Sequence, residues 1–307
     1  MDIEESKKNH EISSETQIMK DQEKVKGRVP RYASLNSLEQ EKRLDMQHIN
    51  RFFLEESSAY PTTISHFWLP LDTLIYEAKF NSAYCSLVNE LKNTYVCWRK
   101  SRGDGNCYYR AVMCGFLLKI LHPSTHISHL NHFLDILENL NCQNNYDYMI
   151  AYETTSQKLR KLAERKNADP SSIAVYKDCE KMLQDTTFDH SLIVIARLIS
   201  YNTLSKRNSL IEFLKPEDIP SVLARIASMG NEAEFFEHYL LPYGLGISVR
   251  NVSLFDKIVF TTYPDEAINN SLLVSVICKL RGHYDILLHV SDMEAMNYCV
   301  STGTYYY

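Results

Sequence analysis

Two periodicities follow one another along this 307-residue chain, and their order points to an α+β domain. Between residues 130 and 214, apolar residues recur at i, i+3, i+4 and i+7, the mark of amphipathic helices. Between 247 and 290 they fall in short β-branched and aromatic segments divided by turn residues, which reads as a small antiparallel sheet. Composition agrees: 45% hydrophobic and 23% charged residues are ordinary globular usage. With 9 Gly and 9 Pro, collagen, flexible low-complexity chains and Gly-rich β-repeats are excluded.

Residues 1–33 mix both charge signs, hold few apolar groups and read as a disordered tail. Leu35 to Leu54 carries apolar residues at helical spacing, with Ser34 as N-cap. Two readings are open: a helix docked on the domain, or an arm that contacts a partner. The compact domain is expected over 61–295, after an arm of 1–60 and before a tail of 296–307 that ends in Tyr305-Tyr306-Tyr307. Asp72–Leu91 reads as one helix and Val96–Arg99 as a short strand. Gly103-Asp104-Gly105-Asn106 is loop material. Cys107–Leu121 favours helix until Pro123. Helices follow at Leu130–Leu140, Asn145–Lys166, Ser171–Leu183 and His190–Leu204. Strands follow at Ile247–Val252, Lys257–Thr262, Leu272–Leu280 and Tyr284–Val290, the last two joined by a turn at Arg281-Gly282.

Lys+Arg is 33 against Asp+Glu 38, a net charge of −5, so the basic field that drives most nucleic-acid binding is missing. Apolar runs such as Leu192–Ala196 and Leu272–Cys278 fall well short of the roughly 20 residues a membrane span needs. The first fifteen residues hold no apolar stretch, so no secretory signal is expected. Eight cysteines, at 85, 97, 107, 114, 142, 179, 278 and 299, form no CxxC pair. That spacing argues against structural zinc, and eight reduced thiols are expected, with no metal and no cofactor.

One cysteine is set apart by its neighbours. Cys107 sits where a Gly-rich loop turns into a helix. Free backbone N–H groups and the positive end of the helix dipole favour a thiolate there, and the same N–H groups can hold an oxyanion. Gly105 lets the backbone approach a substrate closely. A buried cysteine at a helix start explains this segment equally well. Further on, His283 and Asp285 lie two apart on an expected strand, so their side chains share a face. The carboxylate can then fix one imidazole nitrogen and leave the other for a thiol. Alone, a solvated His-Asp pair at a strand end explains that segment better.

Together the two segments resemble the ovarian-tumour (OTU) family of deubiquitinating cysteine proteases, which have a papain-like α+β fold. Asp104-Gly105-Asn106-Cys107-Tyr108-Tyr109-Arg110-Ala111 is similar to its cysteine box, and His283-Tyr284-Asp285 to its histidine box. The long separation of the boxes suits the otubain subfamily, with its large helical subdomain flanking the sheet. Residues 72–102, 191–214 and 229–252 are similar to otubain segments, so the resemblance covers roughly 65–291.

The resemblance implies a deubiquitinase that hydrolyses isopeptide bonds through an acyl-thioester. Cys107 would be nucleophile, His283 base and then acid, Asp285 its orienter, and Asp104 the support of the oxyanion loop. The 104–107 backbone would supply oxyanion donors. Gly105, Asn106 and Tyr108 would line the substrate path. Glu232 and Glu234, with Glu237, are acidic candidates for the arginines of ubiquitin's tail; a solvated helix face accounts for any one of them singly. Two departures stand out: Tyr108, where Phe or Leu is usual, and Arg281, where otubains often have proline. The implied partners are ubiquitin and polyubiquitin chains, in the cytoplasm. Some otubain relatives instead hold ubiquitin-charged conjugating enzymes without cutting, so a non-catalytic binding regulator is the alternative. Another Cys–His–Asp enzyme, such as an acyltransferase, is a third reading.

Overall fold

The computed structural model describes residues 51–77, 81–141, 145–206, 214–215, 217–264, 272–279 and 282–299. The expected tail of 1–33, most of the Leu35–Leu54 helix, the Arg281 departure and the terminal tyrosines lie outside them. Residues 51–58 are helical, and Phe53 is buried. The compact unit accordingly begins at Phe52, ahead of the expected boundary at 60/61.

The Asp72–Leu91 stretch is two helices, α1 (Asp72–Glu77) and α2 (Ser82–Leu91). Asn81 makes the second start: its backbone is extended and its side chain accepts from the Tyr84 N–H, an N-cap worth about 1 kcal/mol. After β2 (Tyr95–Arg99) come α3 (Cys107–Ile120), α4 (Ser128–Glu138), α5 (Tyr146–Ala168), α6 (Ile173–Met182) and α7 (Thr186–Lys206), each within a few residues of its expected span. α8 (Ile219–Ala227) and α9 (Phe235–Leu245) precede the strands. Strand β1 is the short Leu69–Pro70; β3 (Ser248–Leu254), β4 (Ile258–Tyr263), β5 (Leu273–Lys279) and β6 (His283–His289) form the C-terminal set. Helix α10 (Val290–Cys299) continues directly from β6, through the point where a tail was expected to begin.

The six strands form one sheet in the order β1-β2-β6-β5-β3-β4. Four pairings are antiparallel, and β3 pairs with β5 in parallel, Ser248 opposite Leu273. The cause is topological. The β3–β4 hairpin returns the chain to the start of β3, so β5 sets out from that end and runs alongside it. A segment-by-segment reading cannot see this.

The sheet carries a core on each face. Val274, Val276, Tyr284, Ile286 and Leu288 pack on α3 on one side, in the same core as α5 and α7. Trp98, Ile277 and Leu287 meet Leu71 and Leu74 of the α1 region and Leu87, Val88 and Leu91 of α2 on the other. Burying each such side chain stabilises by roughly 1.5–3 kcal/mol. Twelve of the 14 residues of α3 are buried, so this helix is held all round. A Cβ at Gly115 would come within 2.8 Å of Val274 Cγ1, and the glycine lets α3 lie directly on β5. The N-terminus of α3 is thereby brought to the starting end of β6, which places Cys107 beside His283. Among the described residues no helix is long and apolar enough to cross a membrane and no cluster of ligating residues suits a metal; Cys85, Cys97, Cys107, Cys114, Cys179 and Cys278 are free thiols.

Candidate active site

The loop leaving β2 is tied to β6 before it reaches the cysteine. The Ser101 N–H donates to Asp285 Oδ1 at 2.7 Å, and the Ser101 hydroxyl donates to the Tyr284 carbonyl. Gly103 lies against the imidazole: a Cβ there would stand 3.4 Å from His283 Nδ1. The Tyr60 hydroxyl donates to the Gly103 carbonyl at 2.7 Å, bringing an aromatic ring that is 67% exposed to the rim of the site.

Asp104 shapes the turn that follows. Its Oδ1 accepts from the Asn106 N–H at 3.0 Å, and its two oxygens accept from Arg110 at 2.9 and 2.8 Å. Arg110 is itself buried and spans to Asp189 at 2.8 and 3.0 Å. Burial works against the Asp104 charge, but the Arg110 guanidinium, the Asn106 N–H and Arg102 hold its carboxyl below the usual carboxylate range. The Asn106 N–H is committed to this turn and is not an oxyanion donor. Among the described residues no acceptor engages the N–H of Gly105 or Cys107, so these two carry that expectation.

Gly105 and Asn106 join the loop to a second one, residues 228–231. Gly105 has φ +77, and a Cβ on it would fall 1.7 Å from the Gly230 carbonyl oxygen. No other residue fits there. Asn106 Oδ1 accepts from the Gly230 N–H at 2.9 Å and from Arg197 Nη2 at 2.7 Å. Arg197 also donates to the Ile226 and Asn231 carbonyls and stacks on Tyr109. The Asn106 side chain, expected on the substrate path, is therefore turned inward. Tyr108, expected there too, is 1% exposed. Its ring packs on His238 and Tyr284, and its hydroxyl finds the His238 carbonyl at 3.3 Å. Both positions differ from the sequence expectation because α3 is buried on every side.

Cys107 opens α3, is 5% exposed, and its thiol points to the Gly282 carbonyl at 3.8 Å. His283 opens β6; its Nε2 and Asp285 Oδ1 are 2.9 Å apart, which leaves Nδ1 for the sulfur. Cys107 is close enough to the ring to act on its charge. Burial disfavours the imidazolium, yet the Asp285 bond and the Cys107 contact outweigh it and push His283 up to about 9. Asp285 is fully buried. Burial again opposes its charge, but the Lys279 ammonium and His283 hold it down to about 2. The structure thus brings together Cys107, His283, Asp285 and the loop shaped by Asp104. A thiol beside an imidazole that is itself bound to a carboxylate has the parts of an activated nucleophile.

Of the acidic candidates, Glu232 lies nearest: its Oε2 is 3.7 Å from where a Cβ on Gly282 would be, and the side chain is exposed. Glu234 is engaged as N-cap of α9, in a capping box with Glu237 and an ion pair with Arg225. Glu237 is buried against Arg225 at 3.0 Å.

Several residues of the site escaped the sequence reading. Arg197 had a signal, a lone charge inside the apolar run 191–200. Lys279 had one in register, since it stands opposite His283 in the β5–β6 ladder. Tyr60, Ser101 and Gly230 had none.

Residues 55–289 match the family model of peptidase C65, otubain. No curated protein matches the chain by sequence. Among solved structures, the complex h/ceOTUB1–ubiquitin aldehyde–UBCH5B~Ub is similar with a TM-score of 0.60 at 18% identity, covering 81% of this chain and 98% of that one. The complex h/ceOTUB1–ubiquitin aldehyde–UBC13~Ub is similar with a TM-score of 0.58 at 18% identity and the same coverage of 81% and 98%. That likeness shows a shared fold.

Proposed function

The chain belongs to the otubain family of cysteine-type deubiquitinating proteases, and on that premise we propose that Cys107, His283 and Asp285 hydrolyse the isopeptide bond between ubiquitin's C-terminus and a lysine. One observation carries the reading: His283 Nε2 lies 2.9 Å from the buried Asp285 Oδ1, and the Cys107 thiol points at the carbonyl of Gly282, the residue just before His283, at 3.8 Å. His283 takes the thiol proton, and the sulfur attacks the carbonyl carbon of ubiquitin's last glycine. The carbonyl oxygen becomes an oxyanion, held by the N–H groups of Gly105 and Cys107. The intermediate collapses, His283 protonates the departing lysine amine, and an acyl-thioester is left on Cys107. Water, deprotonated by His283, attacks that thioester; ubiquitin leaves with a free carboxylate and the thiol is restored. Glu232 meets an arginine of the ubiquitin tail.

A ubiquitin-conjugating enzyme is a second proposed partner. The two OTUB1 structures of this fold hold UBC13~Ub and UBCH5B~Ub beside ubiquitin aldehyde. The reading puts the protein in the cytoplasm, where thiols stay reduced. The test is incubation with a panel of every diubiquitin linkage. Wild type is expected to cleave at least one. Cys107→Ala is expected to cleave none while keeping its melting temperature. Cleavage by Cys107→Ala at the wild-type rate would end the mechanism. An effect in cells that survives Cys107→Ala would favour the binding role.

A further inference from the structure

Asp285 has more donors than a triad requires. Its Oδ1 takes His283 Nε2 at 2.9 Å and the Ser101 N–H at 2.7 Å, while Lys279 Nζ stands 2.7 Å from Oδ2. Lys279 is only 13% exposed, and its ammonium lies 3.8 Å from the centre of the buried Trp98 ring. Position follows from register: Lys279 pairs with His283, and Ile277 with Asp285, across the β5–β6 ladder. A lysine so placed has given up much of its hydration, a cost repaid by a charged partner and an aromatic face.

We propose that Lys279 is a positioning residue of the reaction, the counter-charge that neutralises Asp285 so that the carboxylate orients His283 without over-stabilising its cation. The inference rests on the hydrolase reading above. In the activated state the proposal invokes, charges alternate across four side chains: a Cys107 thiolate, the His283 imidazolium, the Asp285 carboxylate and the Lys279 ammonium. Removing the last leaves the buried site with a net negative charge. An extra negative charge within a few ångströms disfavours the loss of any proton, from thiol and imidazolium alike.

The other charged groups facing this unit are few. Helix α3 brings Cys107, and the 228–234 loop brings Glu232 beside Gly282. Strand β2 brings neutral Trp98. The 100–104 loop carries Lys100, bound to the Ser57 and Ala59 carbonyls, and Arg102 and Asp104, which pair with each other at 3.6 Å. Tyr60 reaches the Gly103 carbonyl. Among the described residues, Lys279 and His283 are the cations paired with Asp285.

The test is the pH profile of kcat/KM on ubiquitin bearing a C-terminal fluorogenic amide. Lys279→Met is expected to move both limbs to higher pH by about one unit. Lys279→Gln, which can still donate to Asp285 but carries no charge, is expected to move them equally. Lys279→Arg is expected to leave them in place. The charge account also makes Asp285→Asn worse than a lost orienter, because it strands the Lys279 cation against the imidazole. The double variant Asp285→Asn/Lys279→Met is therefore expected to be several-fold more active than Asp285→Asn alone. Limbs that stay at their wild-type positions in Lys279→Gln, or a double variant no better than Asp285→Asn, would overturn the proposal. Those results leave the hydrolase reading intact so long as Cys107→Ala stays inactive, so the two failures are distinct.

Discussion

At the scale of the residue, one imidazole sums up the chemistry. His283 is pushed up to about 9 because Asp285 and Cys107 outweigh its burial. In the proposed mechanism the imidazolium is the acid that protonates the leaving amine, so its loss would end turnover. The kcat/KM profile for a ubiquitin substrate is expected to fall along its basic limb near pH 9. A limb near the ordinary histidine value of about 6.5 would contradict the coupling to Asp285. The sequence expects Cys107 where a loop becomes a helix and His283 and Asp285 two apart on a strand, and the structure has both arrangements, because each is local geometry. The sequence misplaces Asn106 and Tyr108, because whether a side chain near a helix start faces substrate or core depends on what surrounds the helix. Here α3 is buried along nearly its whole length.

At the scale of the element, the site is a clasp between two loops. Gly105 touches Gly230 closely enough to exclude any Cβ, and Asn106 bridges Gly230 to Arg197. Gly105→Ala is expected to push the loops apart and lower kcat/KM by about 100-fold, the scale of an ångström's misplacement. Asn106→Ala strips partners from the Gly230 N–H and the buried Arg197 guanidinium. It is expected to cost about 1–3 kcal/mol, read by urea unfolding. Full activity in Gly105→Ala would show that the clasp does not hold the oxyanion donors. Arg197 shows what local pattern leaves out. A lone arginine in an apolar helix announces a buried partner, but its three acceptors, on Asn106, Ile226 and Asn231, lie in two segments distant in the chain.

At the scale of the whole molecule, histidines set opposing pH slopes. Burial holds His238 and His122 down to about 4. An unfolded chain takes up protons at these positions near 6.5, and the folded one cannot until about 4. Stability therefore falls as pH drops through that window, by up to about 3 kcal/mol for each. His283 acts in the opposite sense: its contribution is complete below about 6.5 and is lost as pH rises through about 9. Melting temperature is expected to peak near neutrality and to drop between pH 6.5 and 4. His238→Phe should flatten the acid side, and an unchanged acid slope in that variant would show that His238 is not held neutral by burial.

Two chemical boxes, a helical middle and a strand-rich end are legible in the amino acids themselves, since each depends on neighbours within a few positions. Long-range pairing decided the rest. The return of the β3–β4 hairpin made one strand pairing parallel, and the β5–β6 register set Lys279 against Asp285. A buried α3 turned Asn106 and Tyr108 away from solvent. Side-chain periodicity records which face an element buries; it carries no record of what lies on the other side.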